Sequence, residues 1–168
     1  MPDSHVAGVH AGVDGSCQHE LMVSGSDITP DREAEIARII EAVTIWTHTR
    51  PDIRGVVVVG SWARGTATMS SDIDIVLLTN DPATYIVSNG WWGFLGQAEL
   101  IATKQWGPLT ERRVALASGL EIEFGIVPPS WASIDPPDPG TMGVVRDGVQ
   151  LIYDPDGLLG ALVGTAAE

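Results

Sequence analysis

At 168 residues the chain fits one domain, and 44% apolar residues with six tryptophans exclude a disordered chain that could not fill a core. A formal charge of −13, from 22 acidic against nine basic side chains, argues against the broad phosphate-binding surface that a long nucleic acid requires. The same balance suits a small cationic acceptor.

Cys17 is the only cysteine, which rules out an internal disulfide framework and a cysteine metal cluster and points to a reducing cytoplasm. No segment reads as a secretory leader or a membrane span. Residues 1–26 are rich in Gly, Ser and His without periodicity and read as a flexible N-terminal segment, with His5, His10 and His19 as solvated polar residues. Residues 27–168 read as one domain with a short C-terminal extension.

The first element starts at Thr29-Pro30-Asp31: a capping hydroxyl, a proline at the first helical position and an acid in the first turn. Ile36, Ile39, Ile40, Val43 and Trp46 then share one helical face, and the helix should end near Thr49-Arg50-Pro51. Gly55 to Gly60 encloses four valines and predicts a strand buried on both faces, central in its sheet. Ser61 to Ala67 forms a turn or short helix, and Asp72 to Leu78 a second strand ending at Thr79-Asn80-Asp81-Pro82.

Residues 83–106, with Tyr85, Trp91, Trp92, Phe94, Leu95, Leu100 and Ile101, read as helical with glycine interruptions. Arg112 to Ala117 and Leu120 to Val127 are two strands joined across Ser118-Gly119. A Pro- and Asp-rich loop runs to Gly140, followed by a strand at Val149 to Tyr153 and an apolar helix at Leu158 to Val163. The fold class is α/β (α+β), a small mixed β-sheet packed against helices.

The chemistry concentrates in residues 60–74, GSWARGTATMSSDID. On a strand, Asp72 and Asp74 face the same way, their Cα atoms about 7 Å apart. Two hard oxygen ligands so placed suit Mg2+ or Mn2+ together with nucleotide phosphates, and zinc poorly. Ile73 and Ile75 turn to the opposite, buried face.

Gly60 permits close backbone approach at the end of a buried strand, where free amides and the Ser61 hydroxyl can meet a phosphate. Gly65 and Ala67 keep the turn thin. Arg64 and Lys104 are candidate phosphate partners, and Trp62 is expected to pack against the first helix.

Leu120 to Phe124 alternates again, putting Glu121 and Glu123 on one face as candidates for a third carboxylate. Periodicity does not choose between them, although Glu123 is slightly preferred. Either acid would equally form a cross-strand pair with Arg112 or Arg113.

Together the order G-S-x-x-x-G-x-x-x-x-x-S-D-x-D, with an acidic strand some fifty residues on, resembles the nucleotidyltransferase superfamily that includes DNA polymerase β. Gly60, Ser61, Gly65, Ser71, Asp72 and Asp74 match its motif, and the resemblance spans roughly residues 30–127. It implies the nucleotidyltransferase fold, with Asp72 and Asp74 binding two magnesium ions. It further implies that Gly60 and Ser61 hold nucleotide phosphates and that Glu121 or Glu123 is the third carboxylate. The family usually has Asp at that third position, so a Glu sets the oxygen one methylene further out.

The implied reaction moves a nucleoside monophosphate from a nucleoside triphosphate to a hydroxyl, releasing pyrophosphate. The acceptor expected is a small hydroxylated molecule such as an aminoglycoside. The alternative is a member of a toxin-antitoxin pair that acts on or binds a protein or RNA partner. The chain beyond Val127 is short for a helical acceptor-binding domain, so a protein partner or homodimer could complete the pocket.

Overall fold

The computed structural model describes residues 27–168; the N-terminal segment 1–26, with Cys17, His5, His10 and His19, lies outside the described residues. Six strands form one mixed sheet in the order β3-β4-β5-β2-β1-β6. They are β1 (Ile53–Val59), β2 (Ile73–Thr79), β3 (Ala98–Trp106), β4 (Leu109–Leu116), β5 (Glu121–Val127) and β6 (Gln150–Tyr153). Only β2 and β5 run parallel, and they form the middle of the sheet. β1 is interior rather than central, flanked by β2 and β6.

Helix α1 (Pro30–Thr47) begins where its cap predicts: the Thr29 side chain accepts a hydrogen bond from the Arg32 amide at 3.2 Å. Its face of Ile36, Ile39, Val43 and Trp46 covers one side of the sheet, against Val56, Val58, Ile73, Ile75, Leu77, Ile122, Phe124 and Ile126. Trp46 stacks on Phe94 at 4.7 Å between ring centroids and meets Tyr85 edge-on at 5.9 Å.

The other side of β1 and β2, carrying Val57, Val59, Val76 and Leu78, packs against Trp131, Met142, Val145, Leu159 and Leu162. The last four come from α4 (Pro139–Arg146) and α5 (Leu158–Ala166). Strand alternation therefore splits β1 and β2 between two cores, as the β-branched run of β1 requires.

Residues 83–106 are not one helix: α3 (Pro82–Val87) and a 3-10 turn at Trp91–Leu95 are followed by the edge strand β3. Lys104 consequently lies on a strand. Ala98 and Leu100 turn inward while Glu99 and Ile101 are exposed, a period of two that the neighbouring aromatic run obscures.

The loop expected to run to Gly140 ends earlier, because α4 starts at Pro139, inside the Pro- and Asp-rich stretch. Its Asp138 carboxylate caps the helix, accepting from the Thr141 amide at 2.8 Å, and Pro139 occupies the first helical position. The signal is the one that marks α1. Among the described residues no helix is long and apolar enough to cross a membrane.

Candidate active site

The parallel pairing of β2 and β5 sets Asp74 opposite Glu123, with Ile73 opposite Ile122 and Ile75 opposite Phe124. The isoleucines and Phe124 enter the α1-side core, so the carboxylates of both strands emerge together on the opposite face. One oxygen from each of Asp72, Asp74 and Glu123 lies within 4.8 Å of the others. Three hard, partly buried oxygen donors at that spacing match what a divalent magnesium or manganese ion takes from protein.

Glu121 is not part of that convergence, although its carboxylate also accepts a hydrogen bond from Arg113, at 2.8 Å. The geometry thus separates two acids that alternation alone leaves equivalent. Glu123→Gln is expected to weaken Mn2+ binding about ten- to hundredfold and Glu121→Gln by less than about threefold, by electron paramagnetic resonance titration. Equal effects would remove Glu123 from its special place.

Asp74 sits deep enough that burial, and then the neighbouring Asp72 charge, push its carboxyl up to about 6, against the pull of Arg113. Below that pH the metal-free chain holds a proton where a cation would bind, and the proton must leave for binding to occur. Mn2+ affinity should therefore climb by up to about tenfold per pH unit between pH 5 and 6 and flatten above pH 7. A titration series across that range checks it.

Gly60 follows β1 directly and opens α2 (Gly60–Arg64), a single short turn. It has φ +73°, and a Cβ placed there would stand 2.2 Å from Asp74 Oδ2. The glycine thus lets the backbone lie against the carboxylate at a distance no side chain permits. Ser61 is half-buried in the next position, and Gly65, also at φ +73°, ends the turn by donating its amide to Ser61 and Trp62 carbonyls.

Ser71 plays a different part, since its Oγ accepts from the Thr68 amide at 2.8 Å and shapes the turn that delivers Asp72. Arg64 is exposed, and its charge acts to lower the Asp74 carboxyl. Trp62 packs against the α1-side core, as its place in a tight turn predicts. Lys104, on β3, lines the same cavity as Asp74 and Glu123 and is not part of the Gly60–Arg64 turn.

Two residues of the site carry no signal in the sequence motif. Arg113, directly across from Glu123 on β4, reaches into the acids. Glu111, 5% exposed, accepts from the Trp106 indole at 3.0 Å and from Arg113 at 3.2 Å. Their period-two spacing on β4 marks them as facing the same way as Glu123, once the pairing of the strands is known.

Beside the acids opens a cavity of about 210 Å³ lined by the charged Asp74, Glu123, Glu111 and Arg113 and by the apolar Val59, Val76, Trp106 and Leu109. Gly125 is closely covered by Leu109, whose Cδ1 would lie 2.9 Å from an added Cβ. The arrangement offers charged groups to a reacting centre and apolar walls to the molecule that carries it.

The sequence matches the family described as nucleotidyltransferase domain over residues 39–125. Comparison with curated proteins finds no match. Among solved structures, a cytoplasmic RNA terminal U-transferase is 18% identical at a TM-score of 0.45, covering 59% of this chain and 31% of its own. Cid1 in complex with the UTP analog UMPNPP is 16% identical at 0.44, with coverage of 59% and 31%. A nucleotidyltransferase-like protein from Exiguobacterium sibiricum 255-15 is 13% identical at 0.42, with coverage of 79% and 39%. The chain thus spans well under half the length of each of these structures.

Proposed function

This chain belongs to the nucleotidyltransferase domain family, and on that premise we propose that it transfers a nucleoside monophosphate from a nucleoside triphosphate to a hydroxyl of a small-molecule acceptor. The convergence of Asp72, Asp74 and Glu123 within 4.8 Å, beside a cavity of about 210 Å³, carries the reading. Asp72, Asp74 and Glu123 would hold magnesium or manganese. When bound, these ions supply a lowered pKa at the attacking hydroxyl and neutralisation of the leaving phosphates.

The chain's own groups arrange the rest. The acceptor oxygen forms a bond to the α-phosphorus as the bond from that phosphorus to the bridging oxygen of pyrophosphate breaks. Glu123 is the carboxylate assigned to take the acceptor's proton. The turn of Gly60 and Ser61 offers backbone and a hydroxyl to the phosphates, and Arg64 adds positive charge beside it. Ser71 holds the preceding turn in shape, and Gly65 closes α2.

A small acceptor is favoured over a long nucleic acid by the net charge of −13, which repels a polyanion. A cationic, hydroxylated molecule of the aminoglycoside kind fits that field and the cavity's mix of carboxylates and apolar walls. A lone Cys17 supports a cytoplasmic setting.

Mass spectrometry after incubation with each nucleoside triphosphate and Mg2+ tests the acceptor class, using aminoglycosides, lincosamides, short RNA and candidate proteins side by side. A mass increase of one nucleoside monophosphate on a small molecule supports the reading. Nucleotide addition to RNA or protein alone would overturn the small-molecule acceptor while leaving the transfer chemistry in place.

A further inference from the structure

The guanidinium of Arg113 lies among four carboxylates, and the way it shares them is specific. One terminal nitrogen meets Asp72 at 3.3 Å and Glu121 at 2.8 Å; the other meets Glu111 at 3.2 Å and also Glu123. Each nitrogen therefore holds one acid of the converging triad, Asp72 or Glu123, and one acid outside it, Glu121 or Glu111.

We propose that Arg113 is a resident counter-ion of the acidic centre, which holds Asp72 and Glu123 together in the metal-free chain and is displaced from both when divalent cations bind. The inference rests on the metal-binding reading above. Asp72, Asp74, Glu111, Glu121 and Glu123 crowd like charges into one corner of the sheet, and a planar, permanently charged fork with several donors can bridge them at once. It holds one oxygen each of Asp72 and Glu123, two of the three acids that a cation needs, and its charge repels that cation, so the two compete.

Release is built into the pairing. When Asp72 and Glu123 turn to a metal, one nitrogen keeps Glu121 and the other keeps Glu111, so the partly buried guanidinium is not stranded. Glu111 is itself fixed by the Trp106 indole, which makes it a stationary anchor for the displaced arginine. Arg113 is in these terms a positioning residue: it sets how the acids are held before loading and how readily they are given up.

The test is Mn2+ binding by electron paramagnetic resonance, without nucleotide or turnover, on wild type, Arg113→Met, Arg113→Lys and Asp74→Asn. Arg113→Met should bind Mn2+ about tenfold or more tightly than wild type, because one competing positive charge is gone. Its metal-free melting temperature should fall, and saturating Mn2+ should raise it by more degrees than it raises wild type. Arg113→Lys keeps the charge without the fork, so its affinity should lie between the two and it remains informative should the methionine variant fold poorly.

Unchanged or weaker Mn2+ binding in both arginine variants would overturn the proposal. If wild type binds Mn2+ and Asp74→Asn does not, that failure leaves the metal-binding reading standing. If no protein binds Mn2+, both fall.

Discussion

Asp74→Asn is expected to lower nucleotidyl transfer by about 10³-fold or more while leaving the fold intact. Loss of a residue that only supports a metal ligand commonly costs about 10- to 100-fold, and Asp74 offers its own oxygen at the point where Asp72 and Glu123 converge. An amide keeps the shape and a neutral oxygen but removes the charge that draws a hard cation. Single-turnover rates at saturating nucleotide separate that loss from weaker nucleotide binding.

The folded chain keeps the Asp74 proton up to about pH 6, whereas an unfolded carboxyl releases it in the ordinary range. Metal-free wild type accordingly loses stability as pH rises through that window, and the neutral amide does not. At pH 8 the metal-free variant should melt no lower than wild type, so lost activity would not trace to unfolding.

Gly60→Ala is expected to reduce transfer by about 10²-fold and Mn2+ affinity with it, although the new methyl touches no nucleophile. At φ +73° the added Cβ would sit 3.2 Å from Asp74 Cγ, a tight contact, and 2.2 Å from its Oδ2, closer than real atoms approach. The shortest relief is rotation of the Asp74 carboxylate away from its partners, and a displacement of about 1 Å at a reacting centre can account for a hundredfold loss. The left-handed backbone adds a stability cost of about 1 kcal/mol for any residue with a Cβ. Gly65→Ala shares the positive φ but meets nothing within 4 Å, so it isolates the backbone component. A much larger loss of Mn2+ binding at position 60 than at position 65 is the expected contrast, read from the same titration.

Much of this geometry is legible in the chain because it depends on local periodicity. The Thr29-Pro30 start of α1, the valine run of β1 and the alternation of Asp72 with Ile73 and Asp74 with Ile75 each follow from residues a few positions apart. The choice between Glu121 and Glu123 does not, because it depends on the register of two parallel strands nearly fifty residues apart in sequence. Nothing in either strand alone states that Asp74 stands beside Glu123.

The pairing of Arg113 with the glutamates is anticipated by alternation, whereas its reach to Asp72 and Glu111 depends on the same strand register and is legible in no single strand. β3 is obscured differently: Trp91, Trp92, Phe94 and Leu95 form a dense apolar stretch that imitates helical spacing and masks the alternation of the residues that follow. In α4, prolines and glycines that suggest a loop outweigh the Asp138-Pro139 cap, although that cap is of the same kind as the one that opens α1.

The most direct test of the central claim is transfer of label from the α-phosphate of a nucleoside triphosphate, with and without Mg2+, in wild type and in Asp72→Asn. Mg2+-dependent label on the acceptor, one pyrophosphate released for each nucleotide transferred, and loss of both in the variant are the expected results. Equal transfer by wild type and Asp72→Asn, or label transfer that proceeds without a divalent cation, would contradict a metal-dependent nucleotidyl transfer at these carboxylates.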